Sequence, residues 1–193
     1  MNAPVSNTAA AQGAATAASG ASGASDTSGT SDTSRMPGER ELFAAVYREA
    51  RLIDEKRWAE WYDLYAEEGV YWVPLTPGQP DGVDHTSIAY EDKLLLKLRI
   101  ERMASPRAYS QQPPSRCTHV LQQPELEAGD PAAGTWTTRS AFVYVEARGE
   151  EQFMLAGAVR HDWVWRDGRL QILCKRVDLI NCDAALPSIQ LFP

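Results

Sequence analysis

Cys117 and His119, in the segment SRCTHV, are the residues whose types and spacing first suggest chemistry. A Rieske [2Fe–2S] centre is held by two cysteines and two histidines, and a Cys-x-His pair is half of such a ligand set. The other half requires a second Cys followed closely by a His, but KRV follows Cys174 and DAA follows Cys182. The sequence therefore lacks the residues to hold a Rieske cluster by itself.

Other metal sites are also disfavoured by spacing. The histidines His85, His119 and His161 stand more than thirty residues apart, and the chain has no Cys-x-x-Cys or His-Glu-x-x-His motif. We therefore expect no iron or zinc site in this chain. Residues two apart on a strand point to the same side, so Cys117 and His119 are interpreted as wall residues that line an interior or contact a neighbour.

The composition excludes several classes of protein. A chain of 193 residues with 44% hydrophobic residues can build one core, and a net charge of −7 without a basic run disfavours nucleic acid as a partner. No segment approaches the roughly 18 consecutive apolar residues of a membrane span. Three cysteines without regular spacing predict reduced thiols and a cytoplasmic location.

The first 36 residues differ in composition from the rest of the chain. They consist largely of Ala, Ser, Gly and Thr, and such a segment has too little apolar surface to offset the entropy lost on ordering. It also lacks the basic start and apolar centre of a secretory signal. We predict a disordered tail at residues 1–36 and a single domain at residues 37–193.

Three amphipathic helices are predicted in the first half of the domain. The first, after Pro37, has an apolar stripe of Leu42, Phe43, Val46, Tyr47, Ala50 and Ile53. The second is RWAEWYDLYAEE, with Trp58, Trp61, Leu64 and Tyr65 at helical spacing and Gly69 as its stop. After a short strand, VYWVP, the third helix is capped by Thr86 or Ser87 and turns Leu94, Leu95 and Leu98 towards the core.

The second half of the domain reads as antiparallel strands. In TWTTRSAFVYVEA, alternation places Trp136, Thr138, Ser140, Phe142 and Tyr144 on one face. Two further strands, EEQFMLAGAVRHDWVW and RLQILCKRVDLINC, are joined by Asp167-Gly168, which is a strong hairpin signal. With a strand at residues 116–127, the predicted class is α+β, a curved antiparallel sheet with N-terminal helices on one face.

This order of elements suggests the nuclear-transport-factor-two-like, or cystatin-like, cone. The sequence from about Glu39 to Pro193 resembles the small (beta) subunit of aromatic-ring-hydroxylating dioxygenases. The most specific segments are LIDEKRWAEWYDLY, the strand start at Ser115-Arg116, and RVDLINCDAALPSIQLF, which is similar to the benzoate-type branch. Many members have an Asn-containing segment where this chain has Gln122-Gln123. This difference weakens the assignment to a branch more than the assignment to the family.

The resemblance implies a structural role. In that family the large (alpha) subunit carries the Rieske cluster, the mononuclear iron and the substrate pocket, and three small subunits form a trimer beneath three large ones. A reductase or ferredoxin would supply electrons without contacting this chain directly. No catalytic, cofactor-binding or metal-binding residue is then expected here. The residues expected at subunit interfaces are Arg116, His119, Arg176, Ile189, Leu191 and Phe192.

Two alternatives remain open at this point. Enzymes with the same cone, such as isomerases, dehydratases and cyclases, use an Asp or His base in an apolar pocket, for which His119, Asp63, Tyr65 and His161 are candidates. The second alternative is a binding module with the same cone, which carries a small apolar ligand. The apolar ending ALPSIQLFP argues against both, because it suits a subunit interface better than a solitary domain.

Overall fold

The computed structural model describes residues 35–105 and 112–193. Its elements are α1 (Glu39–Asp54), α2 (Trp58–Tyr62), β1 (Tyr65–Pro74), β2 (Ser87–Asp92), α3 (Lys93–Ala104), β3 (Arg116–Leu121), β4 (Glu125–Asp130), β5 (Thr135–Arg148), β6 (Glu151–Arg166) and β7 (Arg169–Leu179). All described residues fall within one compact unit. The predicted tail lies almost wholly outside the described residues, so the proposed domain boundary stays a prediction.

The sheet has the strand order β2-β1-β7-β6-β5-β3, and β4 also pairs with β5. Neighbouring strands are antiparallel except for β1 and β7, which run parallel. Helix α1 contacts β3, and α3 contacts β1 and β2. We call the sheet face that carries the buried core residues the inward face. The predicted α+β class is confirmed. None of the helices described is both long and apolar enough to cross a membrane.

The strand pattern of the C-terminal half is confirmed in detail. The five residues predicted to share one face of β5 are all buried: Trp136, Thr138, Ser140, Phe142 and Tyr144. The turn between β6 and β7 has positive φ at both Asp167 (54°) and Gly168 (74°), as a two-residue hairpin of this twist requires. The predicted strand at residues 116–127 is divided into β3 and β4, which both pair with β5.

Helix α1 follows its predicted stripe closely. Its buried residues include Leu42, Val46, Ala50 and Ile53, whereas Tyr47 is 40% exposed, contrary to the prediction. The helix therefore packs on the inward face along the expected line.

The second predicted helix is much shorter than expected. Helix α2 has five residues, and β1 already begins at Tyr65. The reason is tertiary, because the Ile172 amide donates to the Leu64 carbonyl at 2.8 Å and Tyr65 pairs with Ile172 in register. Gly69 is not a helix stop but lies within β1, where a Cβ atom would sit 2.7 Å from the Ile172 carbonyl oxygen. Close backbone approach, not helix termination, accounts for this glycine.

The third predicted helix is wrong in its start and in its buried face. Its beginning forms β2 instead, and α3 is capped by Asp92, whose Oδ1 accepts from the Leu95 amide at 2.9 Å. Leu94, Leu95 and Leu98 are 64%, 46% and 52% exposed, and Leu96 is the buried leucine. The pairing of β2 with β1 fixes where α3 begins, and α3 packs on these two strands with Leu96 buried.

Leu191 and Phe192, which the sequence places at a subunit interface, lie within the chain's own core. These residues are 2% and 0% exposed. The Phe192 ring lies with its centroid 4.4 Å from that of Trp61 and 5.4 Å from that of Tyr71. The aromatic side chains at the end of α2 bury the Phe192 ring within the domain, so the ring needs no partner chain to shield it from water.

Candidate functional site

Two groups of polar side chains lie between α1 and the inward face of the sheet. We call Glu49, Trp61, Tyr65, His161 and Lys175 the Glu49 cluster, and Asp54, Cys117 and His119 the Asp54 cluster. Helix α1 supplies both carboxylates, and its last residue is Asp54. Glu49 and Asp54 continue the apolar stripe of the helix, because they lie three and eight residues after Val46. A charge within an apolar stripe is a sequence signal that could have identified both carboxylates.

The Glu49 cluster is a sealed ion pair. Glu49 Oε1 accepts from Trp61 Nε1 at 2.5 Å and from Lys175 Nζ at 3.0 Å, and both Glu49 and Lys175 are 2% exposed. His161 Nε2 lies 3.5 Å from Glu49 Oε2 and its ring stacks on Trp163 with centroids 5.0 Å apart. At that distance the contact between His161 and Glu49 is electrostatic and not a hydrogen bond.

Burial and charge act in opposite directions on the Glu49 carboxyl. Burial raises its pKa, but the positive charge of Lys175, together with His161 and the Trp61 hydrogen bond, outweighs burial and holds the pKa below its usual value. Burial lowers the pKa of His161 and raises that of Tyr65 well above the ordinary value. The cluster therefore contains an ionised Glu–Lys pair beside a neutral imidazole and a neutral phenol.

The Asp54 cluster joins the end of α1 to β3. His119 Nδ1 lies 2.7 Å from Asp54 Oδ1, and the His119 backbone amide donates to Asp54 Oδ2 at 3.0 Å. The Cys117 thiol donates to Asp54 Oδ1 at 3.6 Å. Burial, followed by the negative charge of Asp54, raises the pKa of the Cys117 thiol to about 12. Cys117 is thus a protonated donor to the carboxylate and not a preformed thiolate nucleophile.

A second carboxylate lies next to this cluster on β5. Strand register places Cys117 opposite Glu146 and His119 opposite Tyr144. The Tyr144 hydroxyl donates to Glu146 Oε2 at 2.7 Å, and the Leu191 amide lies 3.5 Å from the same oxygen. The buried ending of the chain is therefore tied to the strand that faces Cys117.

The structure places the residues predicted from sequence as follows. Cys117 and His119 share the inward face, as strand alternation predicted, but the partner that organises them, Asp54, was missed. Arg116 is exposed, Ile189 is half-buried, and the Arg176 guanidinium pairs with Asp178 at 2.8 Å. The interface role of these three residues stays a prediction.

The four candidates for a cone-type active site do not converge. His119 belongs to the Asp54 cluster, and Tyr65 and His161 belong to the Glu49 cluster. Asp63, at the end of α2, is exposed. They therefore do not form one base-and-donor arrangement in a common pocket.

A Rieske cluster does not fit the donors that the fold brings together. Cys117 and His119 are joined by a carboxylate, whereas a Rieske centre needs two Cys and two His. Cys174 lies on β7, separated from β3 by two strands, and Cys182 is buried in the core. All three cysteines of the chain lie within the described residues. The donor set agrees with the absence of a second Cys–His pair in the sequence.

Comparison with known proteins identifies the family. The model of the ring hydroxylating beta subunit family matches residues 48–184. The chain belongs to this family. The resemblance seen in the sequence is therefore confirmed, and the match runs from the second half of α1 through β7 to the segment just beyond it.

Two relatives show the range of the family. The 2-halobenzoate 1,2-dioxygenase small subunit of Burkholderia cepacia is 35% identical over 91 residues, which are 45% of this chain and 55% of that protein. The match thus spans about half the length of that relative. The beta subunit of the N,N-dimethyl phenylurea N-demethylase of Sphingobium sp. (strain YBL2) is 29% identical over 149 residues, which are 75% of this chain and 85% of that protein.

Solved structures confirm the cone-shaped fold. The beta subunit of benzoate 1,2-dioxygenase from Burkholderia mallei superposes with a TM-score of 0.63 at 26% identity, covering 76% of this chain and 93% of that one. An NTF2-like protein with a cystatin-like fold from Novosphingobium aromaticivorans gives a TM-score of 0.51 at 17% identity, covering 74% and 81%. The second likeness shows a shared fold alone.

Proposed function

We propose that this chain is the non-catalytic small subunit of an aromatic-ring-hydroxylating dioxygenase, and that it holds the large subunits in an assembly of three large and three small chains. The Rieske cluster, the mononuclear iron and the aromatic substrate then belong to the large subunit. A reductase or ferredoxin delivers electrons to that subunit. The cytoplasmic location expected from the cysteine content stays a prediction.

The observation that carries this proposal is an apolar stripe on the outer face of the sheet. Register aligns Val120 with Val143, and Val143 with Ala156, while the Ile180 amide donates to the Ala156 carbonyl at 3.0 Å. Val120, Val143 and Ile180 are 61%, 36% and 78% exposed. We call Val120, Val143, Ala156 and Ile180 the outer stripe. An apolar band that crosses three strands and reaches the residue just after β7 marks a contact surface.

A second apolar surface lies on α3. Leu94, Leu95 and Leu98 project from one side of the helix and are each about half exposed or more. We call these leucines the α3 patch. A ring of three identical subunits needs two different, complementary surfaces on each copy, because the contacts of a three-fold ring are heterologous. The outer stripe and the α3 patch lie on different elements, so they are candidates for these two surfaces. Either surface could also contact the large subunit.

The closed interior supports a role without chemistry in this chain. Glu49, His161 and Lys175 are each at most 2% exposed, and their charges are used within the fold. A general base must reach the proton it removes, either directly or through one water molecule. The Glu49 cluster is shielded from any substrate by the helix and sheet that surround it.

The residues expected at interfaces divide into two sets. Arg116, Arg176 and Ile189 keep a proposed interface role, because part of each side chain remains accessible. The His119 side chain is 3% exposed and is occupied by Asp54. Leu191 and Phe192 are core residues, so removing them would destabilise the fold itself.

The experiment is reconstitution with the large subunit, followed by sedimentation and by turnover per assembled iron. Ile180→Lys places a charge on the outer stripe without touching the core and should weaken assembly by about tenfold or more, which corresponds to about 1.4 kcal/mol. The matched control is Val83→Lys, in the loop between β1 and β2, where the valine is 77% exposed. That control should assemble as the wild type does.

Two results would contradict the proposal. Full assembly of both Ile180→Lys and Leu98→Lys would show that neither surface is a contact. A His119→Ala complex that assembles fully yet loses about a hundredfold in turnover, equivalent to about 2.7 kcal/mol of barrier, would assign chemistry to this chain.

A further inference from the structure

The Asp54 cluster brings together three different metal-ligating side chains from two elements. One donor atom from each of Asp54, Cys117 and His119 lies within 4.8 Å of the other two. Helix α1 supplies the carboxylate and β3 supplies the thiol and the imidazole. Asp54 and His119 are 65 residues apart in the chain, so no ligand motif in the sequence contains all three.

One of the distances among these atoms matches a tetrahedral ion, and a second is shorter than such an ion needs. Zinc bonds of about 2.3 Å to sulfur and about 2.0–2.1 Å to nitrogen or oxygen put sulfur and oxygen ligands about 3.5 Å apart, and nitrogen and oxygen ligands about 3.3 Å apart. The observed distance from Cys117 Sγ to Asp54 Oδ1 is 3.6 Å. His119 Nδ1 and Asp54 Oδ1, now 2.7 Å apart, need to separate by roughly half an ångström when an ion takes the place of the proton they share.

We propose that Asp54, Cys117 and His119 form a binding site for one zinc ion or a comparably thiophilic divalent cation, with water as the fourth ligand. Magnesium and calcium prefer sites made entirely of oxygen ligands, so the cysteine selects against them. This site is independent of the dioxygenase role proposed above. It also opposes the expectation from spacing that the chain binds no zinc, and one titration decides between the two.

The charges of the proposed site balance when the ion binds. The Cys117 thiol loses its proton to solvent and becomes a thiolate, as coordinating thiols do. The imidazole of His119 gives its Nδ1 lone pair to the ion and carries its proton on Nε2. One thiolate and one carboxylate then neutralise the two positive charges of the cation, so the ion and its protein ligands together bring no net charge into the half-buried site.

Burial at the site suits an ion that enters from solvent. The side chain of Asp54 is 23% exposed, whereas that of His119 is 3% exposed. His119 Nε2 is buried and has no hydrogen-bond partner among the described residues. The proton that Nε2 carries once Nδ1 binds the ion therefore meets no acceptor among the described residues, and the bond from Nδ1 to the ion must offset that cost. The exposed side of Asp54 gives an ion and its water a path to the thiol.

The test is a titration of the full-length, untagged, metal-free chain with Co²⁺, followed by competition with Zn²⁺. Cobalt bound to a thiolate should give a sulfur-to-metal charge-transfer band that saturates at one ion per chain and disappears on addition of one equivalent of zinc. Zinc should also raise the thermal unfolding midpoint, because an ion that binds the folded state stabilises it.

The matched control is the other half-buried cysteine on a strand. Cys117→Ala should abolish the cobalt band and the zinc-induced rise in midpoint, whereas Cys174→Ala, on β7, should retain both. If Cys117→Ala does not fold, His119→Gln serves instead. It should keep the sulfur band but weaken cobalt binding by at least the 10- to 100-fold that lost support of a metal ligand costs.

Two outcomes overturn the proposal. In one, the wild-type chain gives no charge-transfer band at millimolar cobalt. In the other, the band is retained in Cys117→Ala and lost in Cys174→Ala, which would place the bound ion at a different cysteine.

Discussion

The Glu49 and Asp54 clusters lie beneath the same helix, about one and a half turns apart, yet they use their carboxylates differently. Glu49 meets the ammonium of Lys175 and the indole of Trp61 in a sealed interior. Asp54 meets an imidazole and a thiol and stays partly accessible. The contrast shows that a buried carboxylate is neutralised by a fixed cation where solvent is excluded, and by exchangeable donors where it is not.

The position of the strands explains the difference. Lys175 and His161 lie on β7 and β6, in the middle of the sheet, where strands on both sides and the helix above exclude water. Cys117 and His119 lie on β3, the last strand of the sheet order. An ion pair in the first location must be complete within the fold, while the second location can exchange a proton for another cation.

The largest effect should come from breaking the sealed pair. Lys175→Met leaves the Glu49 carboxylate buried without its cation and should lower the free energy of unfolding by about 3–5 kcal/mol. Urea unfolding of the isolated chain measures it. Adding Glu49→Gln to Lys175→Met should restore a large part of the loss. If Lys175→Met alone is as stable as the wild type, the pair of Glu49 and Lys175 contributes nothing to the free energy of unfolding.

A smaller loss is expected at the half-open carboxylate. Asp54→Ala removes the acceptor of the His119 amide and of the Nδ1 contact and should cost about 1.5–3 kcal/mol, the range for hydrogen bonds to a charged group. The same urea titration compares it with Lys175→Met. If Asp54→Ala proves the more damaging of the two, the assignment of sealed and open clusters is reversed.

Mild acid should distinguish the clusters through His161. Burial holds the pKa of His161 in the folded chain below its unfolded value near 6.5, so the unfolded state takes up the proton first as the pH falls. The free energy of unfolding should therefore decrease below about pH 6.5, by at most about 1.4 kcal/mol per pH unit for one proton.

His161→Gln should flatten this decline between pH 6.5 and 5. Glu49, whose pKa is also lowered, loses its contribution only at lower pH, below its unfolded value of 4.5. Stability measured at several pH values separates the two groups. An unchanged slope in His161→Gln would mean that the imidazole is protonated inside the fold.

The smallest effect on stability is expected outside both clusters. Leu98→Ser on the α3 patch should change the free energy of unfolding of the isolated chain by less than about 0.5 kcal/mol, since the leucine is 52% exposed. Leu96→Ala, at the buried leucine of the same helix, should cost about 2–5 kcal/mol. Equal losses in the two variants would show that the leucines of α3 are not divided between core and surface as described.

Much of the second half of the fold could be predicted because its signals are local. The two-residue alternation of β5 fixes which side chains share a face, and Asp167-Gly168 supplies the positive φ angles that its hairpin needs. The same rule placed Cys117 and His119 on one side of β3. Counting ligands in the sequence also finds only one Cys-x-His pair, which is half of a Rieske ligand set.

Other features depended on residues that are distant in the sequence. Leu64 and Tyr65 have helical spacing, but their pairing with Ile172 on β7 makes them the start of a strand. The sequence near Phe192 is typical of an exposed chain end, but in the fold its ring is buried against Trp61.

The sequence by itself determined the family, the class and the faces of the long strands, because periodicity and turn chemistry act within a few residues. The tertiary structure alone decided that Glu49 would meet Lys175, 126 residues away, and that Asp54 would meet His119. Strand order and register place Lys175 next to Glu49 and the Cys117 thiol next to Asp54. These are set by packing across the whole sheet and are not visible in any local pattern.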